Sequence, residues 1–117
     1  MSQKLNKALE QLTSAYCEEA PEEATYPYAV FSARRISDVD GIQLYSLEVN
    51  VWDQNKHYSR AECMMDEMEE KLHRCNLFYG NLMIRVLKGQ RNNIPDQDKE
   101  IKRIRELFEM HIYESEE

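Results

Sequence analysis

Tyr45–Trp52, YSLEVNVW, running directly into Asp53–Leu72, DQNKHYSRAECMMDEMEEKL, is the stretch that decides the fold. Tyr45, Leu47, Val49 and Val51 alternate with Ser46, Glu48 and Asn50, the period of a strand with one apolar face. Ala61, Met64, Met65, Met68 and Leu72 instead recur at helical spacing, with Cys75 prolonging the same stripe. A strand therefore hands over, through the polar turn Asp53–His57, to a helix able to cover the sheet. Ser59 and Glu62 match a capping box and mark the expected helix start. Asp66, Glu67, Glu70, Lys71 and Arg74 fall on its wet side.

Upstream, Tyr28–Ile36, YAVFSARRI, reads as a second strand rich in aromatic and β-branched residues. The five residues Ser37–Gly41, SDVDG, would join the two as an antiparallel hairpin, with Gly41 supplying a positive φ. A lone hairpin is marginal, so another element must cover its apolar face. The opening MSQKLNKALEQLTSAY places Leu5, Ala8, Leu9 and Leu12 on one helix face, with Ser2 positioned as its cap. Pro21 and Pro27 then break the pattern within CEEAPEEATYP.

Beyond the central helix, Asn76–Asn81 with Gly80 is expected to end it and lead to a further strand, Leu82–Gly89. The final KEIKRIRELFEMHIYE admits two readings. Ile101, Ile104, Leu107, Phe108, His111 and Ile112 fit a helix, towards which propensity leans. Ile104, Phe108, Met110 and Ile112 also fit one strand face, interrupted by Glu106. With the strand reading, the order is α-β-β-α-β-β: a single α/β (α+β) domain over residues 1–117, with a mixed or mainly antiparallel sheet covered by helices.

The composition bounds the function. A chain of 117 residues and 14.0 kDa has room for one core. Three glycines and three prolines argue against a long linker, and 42% hydrophobic residues suffice for a packed interior. Fifteen basic against 22 acidic residues give −7, which disfavours nonspecific phosphate-backbone binding. Arg34, Arg35, Lys88, Arg91, Lys99, Lys102, Arg103 and Arg105 are candidates for one basic surface; Asp66, Glu67, Glu69 and Glu70 make an acidic one. Opposed charged surfaces suit ordered protein association. Three cysteines without CxxC or Cys/His ligand spacing suggest a reducing compartment. No signal peptide or membrane-length apolar run is apparent.

The familiar chemical motifs are missing: no phosphate-binding glycine loop, no GxSxG elbow, no HExxH. Asp53 and His57, flanking Asn55 and Lys56, present titratable groups near a turn, but a turn or recognition role outweighs an acid/base or metal role. His73 and His111 read as solvated or packing residues. The Met64, Met65 and Met68 stripe is core material rather than a cofactor site, and nothing near Cys63 or Cys75 fixes a low thiol pKa. Trp52 is a core or rim aromatic with the potential to anchor a partner. Lys99, Lys102, Arg103 and Arg105 suit solubility or ion pairing better than nucleic-acid contact. No catalytic, cofactor-binding or metal residue is assigned, and the chain is expected not to be an enzyme.

Taken in sequence, YPYAVFSARR, LYSLEVNVWDQN, SRAECMMDEMEEKL and PDQDKEIKRIRELFEMHIYE resemble the small tail-completion or tail-terminator proteins of tailed bacteriophages, over roughly Tyr26 to Glu114. The resemblance favours the strand reading of the last segment. It implies an α/β subunit of a ring, expected to be a hexamer, that caps the tail tube, stops polymerisation and joins the tail to head-completion or connector proteins. It implies location in the virion at the head-tail interface after assembly in the host cytoplasm, with no cofactor, membrane or sequence-specific nucleic acid. Tyr45, Leu47, Val49 and Val51 look like the family's central strand, and Met64, Met65, Met68 and Leu72 like its covering helix. Trp52, Asp53, Asn55, Lys56, His57, Lys99, Lys102, Arg103 and Arg105 look like association surfaces. Other readings are a head-closure adaptor of the same structural class, a small cellular adaptor, or an enzyme.

Overall fold

The computed structural model of the chain describes residues 2–13, 15–72 and 76–114. His73, Arg74 and Cys75 lie outside the described residues, as do the side chains of Ser2, Ala8, Leu12 and Lys88. The element order is α1 (Ser2–Thr13), β1 (Tyr16–Cys17), β2 (Tyr28–Val39), β3 (Ile42–Gln54), α2 (Ser59–Leu72), β4 (Asn76–Tyr79), β5 (Leu82–Ile94) and β6 (Ile101–Glu114). The strands form one six-stranded sheet in the order β1-β2-β3-β6-β5-β4. Only β1 and β2 run parallel; every other pairing is antiparallel. The sheet is thus mixed, and strand so outweighs helix that the α/β label fits only in part.

The alternation read in β3 decides which side is dry. Tyr45, Leu47, Val49 and Val51 are all buried, and their partners across β6 put Ile104, Phe108 and Met110 on the same face. Helix α2 lays Ala61, Met65, Met68 and Leu72 against them, with Met64 half-buried at the margin of the cluster. Leu5 and Leu9 of α1, which packs against α2 and β1, complete the core. Both helices therefore cover one face of the sheet.

Four expectations are corrected. The hairpin between β2 and β3 turns on two residues, not five: Asp40 and Gly41 have φ of 53° and 78°, the paired positive angles of a type I′ turn. A bulge between Arg35 and Ser37 absorbs one residue, so Ser37, Asp38 and Val39 stay in the ladder. Secondly, α2 is capped one residue earlier than the SxxE pattern suggested. The Glu62 amide donates to the Tyr58 carbonyl at 2.8 Å, which makes Tyr58 the cap and Ser59 the first helical residue.

Thirdly, Asn76–Tyr79 is a strand rather than a helix-ending loop. It folds back on β5 through Gly80-Asn81, with Gly80 at φ 60°. Fourthly, β5 continues past Gly89 to Ile94, and two-residue β1 joins the far edge, where the Glu18 amide donates to the Phe31 carbonyl at 2.8 Å. The last segment is a strand, as the resemblance implied. It is paired along its length on both sides, so the ladder overrides its helical propensity.

The charge that interrupts β6 has its own answer. Glu106 is buried and accepts from Arg91 Nε at 2.7 Å. The same guanidinium reaches Asp66 at 2.9 Å and Glu69 at 2.8 Å on α2, tying β5, β6 and the helix together. Burial raises the Glu106 pKa above its ordinary value; hydrogen bonding to Arg91 pulls it down, and Glu69 pushes it up again.

Candidate association surface

Among the described residues no helix covers the second face of the sheet. The alternate residues of each strand lie there, in register across three strands: Tyr28 beside Trp52 and Arg103, Val30 beside Asn50 and Arg105, and Ser32 beside Glu48 and Leu107. The same spacing that buries Leu47, Val49 and Val51 thus lifts Glu48, Asn50 and Trp52 onto the opposite side.

These side chains form a continuous polar chain across β3 and β6. Arg103 lies over the Trp52 ring at 4.7 Å and donates to Asn50 Oδ1 at 2.9 Å. Asn50 Nδ2 donates to Glu48 Oε2 at 2.9 Å, and Arg105 Nε donates to Glu48 Oε1 at 3.0 Å. Beside it, a groove of about 440 Å³ runs between this chain and the Glu18–Ala20 segment. A smaller pit of about 250 Å³ lies between Arg34 and Arg105.

The hydrogen bond from Asn50, with support from the Arg105 charge, lowers the Glu48 pKa, although burial opposes it. A lowered folded-state pKa stabilises the fold above the ordinary value near 4.5, and that contribution is lost as pH falls through the folded value. Carboxyl NMR titration should give Glu48 a midpoint below 4.5, and Asn50→Ala should move it upward. A wild-type midpoint at or above 4.5 would show that the side-chain network is not formed in solution.

The nine residues singled out in the sequence separate into three environments. Trp52, Arg103 and Arg105 belong to the open face. Asn55, Lys56, His57, Lys99 and Lys102 gather at one end of the sheet, where the Asn55 amide donates to the Glu100 carbonyl at 2.8 Å. There His57 and Lys56 are exposed, the His57 amide donates to Asn55 Oδ1 at 3.1 Å, and Lys102 sits 5.4 Å from the centre of the Tyr58 ring while donating to the Lys99 carbonyl. The polar turn and the basic segment, far apart in sequence, are therefore one surface.

Asp53 is a correction. It is 0% exposed, accepts from Arg60 Nε at 2.9 Å and from Arg60 Nη2, and also takes the Gln54 amide at 2.8 Å. Its carboxylate latches β3 to the first turn of α2 and is not offered to a partner or a substrate. The expected basic surface also divides, because Arg91 faces the helix side while Arg34, Arg103 and Arg105 occupy the open side. Sequence reading missed Glu48 and Asn50 as binding partners of those arginines, although their alternation with the buried valines already placed them on the other face.

Reactive groups do not converge. Among the described residues there is no group of three His, Cys, Asp or Glu side chains fit to hold a metal ion, and no helix is long and apolar enough to cross a membrane. Cys63 is exposed on α2; Cys17 is partly covered at the sheet edge, where burial, then Glu18 and Glu10, push its thiol pKa up.

No protein-family model matches the chain, and no curated protein matches it. Among solved structures, it superposes on a chain of the virion of a native gene transfer agent particle with a TM-score of 0.78 at 12% identity. The match covers 95% of this chain and 96% of the other, so the two share a whole fold rather than a common motif.

Proposed function

We propose that the chain is a structural virion protein that caps the tail tube, terminates its polymerisation and provides the surface on which tail and head are joined. The observation that carries this reading is the end-to-end likeness to a component of a gene transfer agent virion, at a TM-score of 0.78. The tail-end assignment adds the sequence resemblance to tail-completion proteins. The work is geometrical: copies related by heterologous contacts close into a ring when the rotation is right, and the ring's two sides then differ. Asn55, Lys56, His57, Lys99 and Lys102, crowded at one end of the sheet, are suited to meet one axial partner. The opposite end, at the Asp40-Gly41 turn, is free to meet another. No reaction is required, and no catalytic residue is assigned.

Deleting the gene during particle assembly tests the proposal. Tail-less heads together with unjoined or overlong tails are expected, visible by electron microscopy. Complete particles with tails of normal length would overturn it. Binding to finished tubes identifies a terminator, whereas binding to connector-bearing heads before tail attachment identifies a head-closure adaptor.

A further inference from the structure

The Nε–Nη2 edge of a guanidinium carries two parallel N–H groups, a fork that fits both oxygens of one carboxylate. Arg60 uses it in that way, with Nε and Nη2 on the two oxygens of Asp53. Arg91 does not. Its Nε donates to Oε1 of Glu106 at 2.7 Å and its Nη2 to Oε2 of Glu69 at 2.8 Å, while Nη1 reaches Asp66 at 2.9 Å. Oxygens of two separate carboxyl groups therefore stand side by side where a single carboxylate would otherwise sit. Two ionised groups so placed repel each other, and one proton between them turns the repulsion into a hydrogen bond.

Exposure decides which carboxyls are concerned. Asp66 is 68% exposed and keeps its charge in water, whereas Glu69 is 24% and Glu106 only 2% exposed. Opposite Glu106, β3 presents Val49, buried and uncharged, and β5 presents Arg91 itself. Helix α2 adds Glu62, exposed one turn before Asp66. His73, four positions after Glu69, and the side chain of Lys88 lie outside the described residues. Burial raises the pKa of Glu106 despite the hydrogen bond to Arg91, and Glu69 adds to the rise through both its hydrogen bond and its charge.

We infer that Glu69 and Glu106 hold one proton between them, and that this proton latches α2 onto the sheet. The pair joins the second half of the helix to the central strand β6, and Arg91 spans the seam from β5. Losing the proton leaves three carboxylates on one cation. The easiest relief is for α2 to lift, because Glu106 is fixed in a strand paired on both sides whereas α2 rests on the sheet through its side chains. A raised folded-state pKa favours the closed form fully below the ordinary carboxyl value near 4.5, and the advantage is lost as pH rises through the folded value. The latch is therefore closed in mild acid and loosens towards alkaline pH.

The test uses the purified full chain. Carboxyl NMR titration should show Glu69 and Glu106 moving together in two steps, the second of them above 4.5. Urea unfolding at pH 5 and pH 8 reads the latch itself. The folded-to-unfolded ratio of the wild type should fall about tenfold across that interval, and that of Glu69→Gln by less than about threefold, because the amide gives Glu106 a permanent N–H and keeps its carbonyl for Arg91. At pH 8, amide-exchange protection should drop in α2 of the wild type ahead of β3 and β6, and be kept in Glu69→Gln. If Glu69→Gln does not fold, Glu106→Gln makes the same replacement from the strand side and must give the same flat profile. His73→Gln should keep the wild-type profile. Two independent midpoints at or below 4.5, glutamine variants that retain the wild-type pH profile, or a profile flattened by His73→Gln instead would each overturn the inference.

Discussion

Arg91→Met is expected to destabilise the chain by about 2–3 kcal/mol at pH 7 and by less than about 1 kcal/mol at pH 5. The reason is the company that Arg91 keeps. It is the cation for buried Glu106 and at the same time for Asp66 and Glu69, with bonds of 2.7, 2.9 and 2.8 Å. Burial works against its charge, but the hydrogen bonds to Glu106 and Asp66 outweigh this and push its pKa further up. Breaking a buried pair on one side typically costs about 3–5 kcal/mol, because the survivor is left charged and unsolvated. Glu106 has an escape, since it can take up a proton.

Protonating a carboxyl of ordinary pKa costs about 3.7 kcal/mol at pH 7 and about 1 kcal/mol at pH 5, which sets a ceiling on the penalty. Burial already raises the Glu106 pKa in the wild type, so part of that ceiling is reached before the substitution is made. The sign follows. A carboxyl with a raised folded-state pKa favours the fold fully below its unfolded value, and the advantage is lost as pH rises through the folded value. Removing Arg91 lifts that folded value, so the damage must grow with pH. Urea unfolding at the two pH values measures it, and a loss independent of pH would mean that Glu106 is not the group left stranded. Arg91→Met combined with Glu106→Leu should recover most of the stability, as replacement of a whole buried pair by apolar groups usually does.

Glu106 also shows where the sequence stopped being legible. The strand β3 and the helix α2 were readable because each carries a clean period in its own residues. The last segment was not, because a carboxylate at a core position of a strand makes sense only beside Arg91, 15 residues away. Asp53 looked like part of a polar turn for the same reason. Its partner Arg60 is seven positions on, and a helix must start between them before the two can meet. The open-face network depends on contacts 53 and 57 residues apart, which the sheet register creates and no local pattern encodes. The hairpin turn was misjudged for a different reason. SDVDG has loop composition throughout, and a bulge at Ile36 that returns Ser37–Val39 to the ladder leaves no mark in residue type.

Gly89→Ala is expected to cost about 3 kcal/mol, at the upper end of what overpacking does, whereas deleting Gly89 outright should cost less. Lys88 pairs with Phe108 and Gln90 with Leu107, so Gly89 is the extra residue of the β5 bulge. A Cβ built there would collide with the Leu107 carbonyl oxygen and come within 3.1 Å of its carbon. Both neighbours are backbone of the central strand β6, held on its other side by β3, so neither can turn aside as a flexible side chain would. The strand must either back away, breaking ladder bonds, or expel the bulge. Expelling it with the alanine retained slides the rest of β5 by one position, which would move Arg91 off the face of Glu106 and onto the opposite one. Deletion does the reverse. Phe108 and Leu107 are already consecutive partners for Lys88 and Gln90, so the pairing and the facing of Arg91 are kept and only the local bend is lost. Urea unfolding of the two variants separates these cases. An alanine variant as stable as the wild type, or a deletion more damaging than the alanine, would mean that the bend itself, rather than the close approach of two backbones, is what the glycine serves.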